Sequence, residues 1–292
     1  MSGSEIVPVG KVASDVAKKA LSEKEWQQQQ LAELAAQTDE MKGAASKYAK
    51  RVEIKQAALL RLYQPLARLV GFQREYFDEE FGRDLASKTA HILDENLVTP
   101  RASVAFPAMQ GLGYSLDEPE LKEMYLNLLA TATDGRRQST AHPAFAETIK
   151  QLAPEEASAL QTALEVGAWP MIEVRRVADG MKYSVARRHI VYMVNTESGE
   201  PVRSAECNAW IDNWVRLGLF ETSYSTSFAR EGAYDWAEDH PDVVEERSVA
   251  ETDGLTVVVQ RGRLDITAFG KRFAAAIADP PPADSAIEDP ES

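Results

Sequence analysis

Hydrophobic residues in the N-terminal part of the chain repeat at helical spacing. Residues 11–63 are rich in Ala, Gln, Lys and Glu and contain no proline, which predicts one long helix or two in series. From Leu31 to Leu66 the seam positions are alternately three and four residues apart. This is the heptad repeat of a coiled coil, and it continues for five heptads. The positions of this seam are Leu31, Leu34, Thr38, Met41, Ala45, Tyr48, Val52, Lys55, Leu59, Leu62 and Leu66.

Two interpretations of the seam stay open. Either it pairs with a second copy of the chain, or it is an amphipathic helix packed on its own domain, since Thr38, Ala45 and Lys55 add little apolar area. The first interpretation predicts a homo-oligomer, because two-fold dimers are the commonest soluble assembly. The candidate oligomerisation residues are Leu31, Leu34, Met41, Tyr48, Val52, Leu59 and Leu62.

Residues 66–166 carry the starts and stops of several helices. Aromatic residues at helical spacing, Phe72, Tyr76, Phe77 and Phe81, predict core positions. Prolines at 100 and 107 predict a loop with a short helix. Further helix starts are predicted at Ser115, with Glu118 as its capping partner, at His142-Pro143 and at Pro154. The residues expected to be buried together are Leu128, Leu129, Phe145, Ile149 and Leu152.

After Gly167 the pattern changes to β-branched and aromatic residues without a helical period, which predicts strands over 168–196. A helix follows at 204–218. The remaining predicted elements are a strand at Leu219–Phe228, a hairpin of Leu255–Val259 with Arg263–Ile266 around Gly262, and a last helix, Ala268–Ile277, capped by Thr267. Their order resembles a winged-helix layout.

These elements predict an α+β protein that is mainly α with a smaller β component, and with strands confined to about 168–266. The expected domains are a helical arm and candidate coiled coil over 1–65, a helical core over 66–166, a winged-helix-like domain over 167–278, and a disordered, acidic, Pro-rich tail over 279–292.

Charge is distributed unevenly along the chain. The formal net charge is -14, and residues 221–292 contain sixteen acidic against six basic residues. This excess opposes nucleic-acid binding, which depends on neutralising phosphates with Lys and Arg. Residues 175–188 are locally basic, unlike the rest of the chain, and contain a single acid, Asp179. The candidate partner-contact residues in this segment are Arg175, Arg176, Lys182, Arg187 and Arg188, which could dock an acidic partner, a nucleic acid or the protein's own acidic C-terminal region.

Candidate chemistry is sparse. The histidines at 91, 142, 189 and 240 do not share a metal-ligand spacing, and the acidic group at 235–242 lacks the glycine of a calcium loop, so we expect neither metal nor cofactor. His142 could cap the following helix, bind a buried carbonyl or act as a general base. The lone Cys207 is expected to be buried. With no apolar stretch approaching eighteen residues and no signal-like N-terminus, we expect a cytoplasmic protein without a membrane span.

Three runs in order, ENLVTP at Glu95–Pro100, DEPELKEMYLNLLA at Asp117–Ala130 and HPAFAETIKQLAPEEA at His142–Ala157, are similar to the Abi-alpha (abortive infection alpha) family. The resemblance extends over residues 60–278 through WIDNWVRLGLF at Trp210–Phe220 and LDITAFGKRF at Leu264–Phe273. It implies bacterial defence against phage, in which the infected cell stops growing or dies. It brings no catalytic residues with it.

Three functions follow as hypotheses. The first is a non-enzymatic phage-defence protein that acts through contact with an unknown phage or host protein and as a homo-oligomer. The second is a nucleic-acid-binding regulator that uses the winged-helix-like half. The third is a hydrolytic toxin whose site is dispersed in sequence.

Overall fold

The computed structural model describes residues 6–8, 55–63, 73–178, 182–195 and 201–279. It shows an α+β fold. Most of the predicted helical arm, including candidate residues Leu31 to Val52, and the predicted disordered tail beyond residue 279 lie outside the described residues. The described residues form two compact units, and the predicted four-part domain division stays a prediction.

The helical unit comprises the described residues from 55 to 154 together with those after Lys271. It begins with helical residues 55–63 and contains a 3₁₀ turn at Asp94–Asn96. Its helices are α1 (Arg74–Glu79), α2 (Phe81–Lys88), α3 (Ala102–Tyr114), α4 (Pro119–Thr133) and α5 (Ala144–Lys150). The five residues predicted to be buried together are all buried, as are the aromatic residues at 76, 77 and 81.

Two local predictions in this unit are wrong. Pro107 lies inside α3 and does not end it, because the proline removes only the bond to the carbonyl of Ser103, which is exposed and open to hydration. The apolar stripe of α3, including Val104 and Met109, is buried and holds the helix together. Ser115 does not cap α4, which begins at Pro119, where the fixed φ of proline suits the first helical position.

The sheet unit comprises the described residues from Glu155 to Lys271 together with β1 (Ile6–Pro8). Its other strands are β2 (Ala168–Val177), β3 (Tyr183–Val191), β4 (Met193–Asn195), β5 (Phe220–Ser223) and β6 (Thr256–Ile266). The sheet is antiparallel with the order β3-β2-β6-β5, and β1 pairs with β4 separately. The helices are α6 (Pro154–Val166), α7 (Ser204–Arg216) and α8 (Pro241–Thr252), and a 3₁₀ turn lies at Asp235–Ala237.

The last helix, α9 (Ala268–Ile277), begins in the sheet unit and ends in the helical unit. As predicted, Thr267 caps it, since the Thr267 hydroxyl accepts the N–H of Gly270 at 2.9 Å and donates to the carbonyl of Gly218 at 2.6 Å. At its other end the carbonyls of Ala276 and Ile277 accept side-chain hydrogen bonds from α4, each at 2.9 Å. These bonds satisfy carbonyls that a helix end leaves without partners.

The C-terminal strands differ from the prediction. β6 is one continuous strand, so the predicted hairpin around Gly262 is wrong. A Cβ at Gly262 would lie 2.6 Å from the carbonyl oxygen of Ser223, so glycine is required here for close approach to β5 and not for a turn. The structure therefore does not show the hairpin on which the winged-helix prediction rested. β5 ends at Ser223, short of the predicted Phe228, and β1 lies outside the predicted strand range.

Candidate interaction surface on the sheet

The basic segment of the sequence forms parts of two adjacent strands, and strand geometry divides it between the two faces of the sheet. Arg175 lies opposite Val185, and Arg176 lies opposite Ser184. Successive side chains of a strand point to opposite faces. We call the face that carries Arg175 the outer face and the one that carries Arg176 the inner face.

On the inner face, α8 supplies the carboxylate of Glu246, which is only 4% exposed. Arg176 donates from Nε and Nη2 to Oε2 at 2.9 and 2.6 Å, and Arg187 donates from Nε to Oε1 at 2.9 Å. Around this triad the face is apolar, with buried Ile172 and Val174 of β2 packed with Val243 of α8. Charge-assisted bonds and apolar contacts together hold α8 on the sheet.

On the outer face a second triad has the same composition. The carboxylate of Glu173, 5% exposed, accepts from Nε of Arg175 at 2.8 Å and forms an ion pair with Arg188, whose Nε lies 3.1 Å away. Arg175 also donates to Oε1 of Gln260 at 3.1 Å, and its guanidinium lies 4.4 Å from the centre of the Tyr183 ring. The Arg188 side chain is 63% exposed, so positive charge is accessible here while the neutralising carboxylate is buried.

Exposed apolar side chains accompany this charge. The register places Tyr183 and Thr256 on either side of Val177, and Val185 and Val258 on either side of Arg175. Tyr183 is 54% exposed and Val258 is 43% exposed. Exposed apolar area next to accessible charge is typical of a contact surface. We call this end of the outer face, defined by Arg175, Tyr183, Arg188 and Val258, the open patch.

The opposite end of the outer face is covered. Trp169 and Leu264 pair across β2 and β6 and are both buried, as is Met171. The indole of Trp169 donates to the carbonyl of Ala163 in α6 at 3.2 Å. The outer face is thus covered by α6 at one end and exposed at the other.

A strained residue adjoins the open patch. His189 has φ of +54° at a break in the β2–β3 register, a conformation that a non-glycine residue rarely adopts. Its N–H donates to Oη of Tyr224 at 3.0 Å, and the Tyr224 hydroxyl lies 3.1 Å from Nδ1. Nε2 lies 3.2 Å from the carboxylate of Asp212. A hydrogen on Nε2 would face this carboxylate and leave Nδ1 to accept from the hydroxyl, and we assign this tautomer on that ground. Burial lowers the pKa of His189, which favours this neutral form.

The strained residue is connected to the open patch by hydrogen bonds. The backbone carbonyl of Tyr224 accepts from Nε2 of Gln260 at 3.1 Å, and Gln260 in turn accepts from Arg175. Burial raises the pKa of Tyr224 to about 12, so its phenol stays a hydrogen-bond donor at neutral pH. The network therefore holds the side chains that support the patch in place.

A family model described as abortive infection alpha matches residues 73–277, which include both triads, Tyr224 and Gln260. The chain belongs to the abortive infection alpha family. The resemblance drawn from the three sequence runs is thereby confirmed, and membership suggests abortive-infection phage defence. No curated protein and no solved structure matched the chain.

The structure places the five basic candidates in three settings. Arg176 and Arg187 serve the inner triad, and Arg175 and Arg188 serve the outer one. Lys182 is exposed at the start of β3, where its carbonyl accepts the N–H of Ala178 at 3.1 Å. The inner pair contacts the protein's own acidic C-terminal region, which is one of the alternatives that the sequence left open. Partner contact through the other residues stays a prediction.

Two of the oligomerisation candidates lie among the described residues. Leu59 is buried within the chain, and Leu62 is half-buried. Close to them the ammonium of Lys55, a seam position, donates to the carbonyl of Thr89 at 2.8 Å and to that of Ala90 at 3.3 Å. This end of the seam therefore packs on the helical unit itself.

Two of the four histidines cap helices. Nδ1 of His142 accepts the N–H of Ala144 at the start of α5, at 3.1 Å, and Nδ1 of His240 accepts the N–H of Asp242 in α8, at 3.3 Å. Cys207 is buried, as predicted. Within the part of the chain that the structure describes, there is no group of three or more His, Cys, Asp or Glu residues placed to hold a metal ion, and no helix long and apolar enough to span a bilayer.

Sequence reasoning missed both carboxylates that organise the arginines. Glu173 stands between two buried apolar residues of β2, and that position is a signal that its charge is paired. Glu246 falls between Val243 and Ala250 at spacings of three and four, which places it on the buried stripe of a helix. An acid on an apolar stripe indicates a buried ion pair, although not which arginine is its partner.

Proposed function

We propose that this member of the abortive infection alpha family acts in the bacterial cytoplasm without catalysis, by binding another protein through the open patch. The observation that carries the proposal is the accessible Arg188 and Tyr183 on a surface that is otherwise part of a rigid sheet. Tyrosine and arginine, with tryptophan, are enriched among the residues that dominate binding energy at interfaces.

Preorganisation supports the same conclusion. Tyr183 lies against the guanidinium of Arg175, which Glu173 and Gln260 hold in place. Ordering such side chains costs about 0.5–1.5 kcal/mol each when an interface forms, so a surface already ordered loses less on binding. A protein partner also fits the formal net charge of -14 better than nucleic acid does, because a nucleic acid would be repelled at long range.

The test is phage challenge of bacteria that carry the protein, comparing wild type with the double variant Tyr183→Ser/Arg188→Gln. The variant should lose protection while its circular dichroism and melting temperature stay close to those of wild type, because both side chains are largely exposed and Arg175 still pairs with Glu173. Arg230→Gln is the matched control, since Arg230 is an exposed arginine of the same unit. Undiminished protection by the folded double variant would refute the patch as the functional surface. Loss of protection in the control as well would show a non-specific effect of removing positive charge.

We also propose that the seam before residue 55 joins two copies of the chain. The support is its heptad spacing together with the polar composition of a helix that is marginal alone and must pack on something. Replacing Leu34 and Met41 by Glu should give a folded monomer in light scattering, because two charges in the seam cannot be paired cheaply. A mutant that stays dimeric, or that unfolds, would assign this segment to the protein's own core.

A further inference from the structure

We propose that an extended segment of another protein, with the pattern acidic–x–aliphatic–x–aliphatic, adds to the free edge of β6 as a further antiparallel strand. The segment uses the backbone of β6 and side chains on the inner face, whereas the open patch is on the outer face. The inference therefore goes beyond the proposed function and does not depend on it. Three observations carry it: backbone groups without partners along β6, a cavity beside them, and an arginine without an acidic partner.

β6 has a strand on both sides for only part of its length. β2 pairs with it from Thr256 to Asp265, whereas β5 pairs with it only from Arg263 to Ile266. Within the described part of the chain, no strand lies on the β5 side of residues 257–261. We call this stretch the free edge. An unpaired strand edge is a template on which another chain can form a strand.

Two hydrogen bonds show which backbone groups face each side of β6. The N–H of Ile266 donates to the carbonyl of Gly167, which precedes β2, at 2.7 Å. The N–H of the next residue, Thr267, donates to the carbonyl of Leu219, which precedes β5, at 3.0 Å. In an antiparallel ladder this alternation continues along the strand. Even-numbered residues of β6 therefore bond to β2, and odd-numbered residues point to the β5 side.

The backbone groups at the free edge are those of residues 257, 259 and 261. The carbonyl of Arg261 accepts from Nε2 of its neighbour Gln260 at 3.1 Å. Among the described residues, none donates to or accepts from the other N–H and C=O groups of this set. In an antiparallel pair, each of these residues would exchange two hydrogen bonds with the residue opposite.

A cavity of about 250 Å³ lies on the inner face, lined by β6, by α8 and by the 3₁₀ turn before α8. Its apolar walls are Val257 and Val259, which are half-buried, together with Tyr234 and Ala237, which are buried. An apolar cavity of about 150 Å³ is large enough to hold benzene, so this one admits an aliphatic side chain. A strand added at the free edge places every second side chain on this face.

The charges that line the cavity favour one acid in the occupant. Arg261 is exposed, and its guanidinium lies 5.2 Å from the centre of the Tyr234 ring without an ion pair to any described residue. The other cation of the lining, Arg247, is paired with Glu238. An acid opposite Arg261 therefore meets a guanidinium that no carboxylate neutralises. The exposed carboxylate of Asp235, also in the lining, disfavours a run of acids.

The register converts these features into a sequence pattern. β5, which lies on the same side of β6, is antiparallel, and antiparallel pairing is slightly the more stable kind. An antiparallel segment with its acid opposite Arg261 has its next inward side chains opposite Val259 and Val257. A second copy of β6 does not fit, because pairing centred on Val259 places each Arg261 opposite a valine and leaves both guanidiniums without an acid.

The test is fluorescence anisotropy with the full-length protein and a labelled, end-capped peptide, Glu-Thr-Val-Thr-Val, which should bind saturably. Replacing its central valine by serine should weaken binding at least tenfold, because the cavity then loses its aliphatic occupant. N-methylation of that valine should also weaken binding at least tenfold, since its N–H faces β6. N-methylation of either threonine is the matched control and should leave the affinity within twofold, because the threonine N–H groups face away from β6.

Protein variants test the charge. Arg261→Gln should weaken binding of this peptide about fivefold, which is the upper range for an exposed ion pair. The same variant should not weaken binding of the peptide that has Gln in place of Glu. Arg230→Gln, at another exposed arginine of the sheet unit, should change neither affinity. Circular dichroism checks that both variants are folded.

Several results would overturn the inference. Failure to bind at millimolar peptide would exclude the site, and equal losses on N-methylation of valine and of threonine would exclude strand addition. Loss of peptide binding in Tyr183→Ser/Arg188→Gln would place the peptide on the open patch. A dimer that the peptide splits into monomers in light scattering would assign the free edge to a second copy of the chain. Phage challenge of the double variant tests the open patch alone, so the two proposals fail separately.

Discussion

Replacing Glu246 by Gln tests how α8 is attached to the sheet. The carboxylate is 4% exposed and accepts three hydrogen bonds from two arginines, at 2.6, 2.9 and 2.9 Å. Glutamine is nearly the same size but is neutral, and one of its two terminal atoms is a donor. The substitution therefore removes the negative charge. It also places an amide N–H opposite one guanidinium, which has only donors and cannot accept it.

The magnitude follows from the exposure of the partners. Breaking a fully buried ion pair costs about 3–5 kcal/mol, because the remaining charge has no partner. The side chains of Arg176 and Arg187 are 28% and 30% exposed, so water can hydrate part of each guanidinium once the carboxylate is gone. A hydrogen bond to a charged group contributes about 1.5–3 kcal/mol, and the amide oxygen keeps one acceptor in place. We expect Glu246→Gln to lower the free energy of unfolding of the sheet unit by about 2–3 kcal/mol.

Urea unfolding followed by tryptophan fluorescence measures this loss. Four of the five tryptophans, at 169, 210, 214 and 236, lie in the sheet unit, so most of the signal reports on the unit that carries the triad. With a urea slope of about 2 kcal/mol per M, the midpoint should fall by about 1–1.5 M. Glu251→Gln, at an exposed position of the same helix, is the matched control and should change stability by less than about 0.5 kcal/mol. A loss for Glu246→Gln as small as that of the control would refute the role of the triad.

Three further perturbations test other parts of the fold. Leu128→Ala should cost about 2–5 kcal/mol in urea unfolding followed by circular dichroism, because Leu128 is fully buried in α4; a loss under about 0.5 kcal/mol would contradict the packing. Thr267→Val should cost about 1–2 kcal/mol by removing the cap of α9, and no change would show that the cap is dispensable. Burial lowers the pKa of His91, His189 and His240, so the unfolded chain binds more protons, and the free energy of unfolding should fall as pH is lowered through about 6.5. Stability that rises between pH 7.5 and 5 would contradict this sign.

Helix starts were predictable where a residue fixes the local backbone. Pro154 and Thr267 mark the starts of α6 and α9, because proline pre-sets the backbone of a first turn and a threonine hydroxyl satisfies a free N–H. Pro107 misled the prediction because its cost is local, while the burial of the α3 stripe that outweighs it comes from tertiary packing. Capping and proline signals therefore predict helix starts correctly where the stabilising interaction lies within the same few residues.

The strands were harder to predict for the same reason. In the sequence Gly262 looks like a turn residue. In the structure a glycine is required at this position because β5, about forty residues earlier in the chain, approaches it closely. β1 is a strand because it pairs with β4, nearly two hundred residues away, and no local pattern contains that partner. Strand pairing and close approach depend on contacts between distant residues, which periodicity does not encode.

The candidate surface shows what a linear sequence conceals about charge. In the sequence, five basic residues within fourteen suggest one basic patch. Successive side chains of a strand point to opposite faces of the sheet, however, so Arg175 and Arg176 lie on different faces. The inner arginines are used to hold a helix, so counting them overstates the charge that a partner meets. What remains accessible is smaller and more specific, namely Arg188 beside the ring of Tyr183.

Under the proposed function, a small basic patch on a protein of net charge -14 would attract a partner only at short range. At physiological ionic strength the Debye length is about 8 Å, so an acidic segment feels the net negative charge weakly until it is close. It then meets Arg188 directly, and the aromatic and valine side chains beside it add contacts that salt does not screen. Acidic segments without an apolar or proline component gain only the ionic part, which is worth about 1 kcal/mol or less at an exposed site. Recognition by such a patch therefore depends on acidic and apolar groups of the partner arriving together.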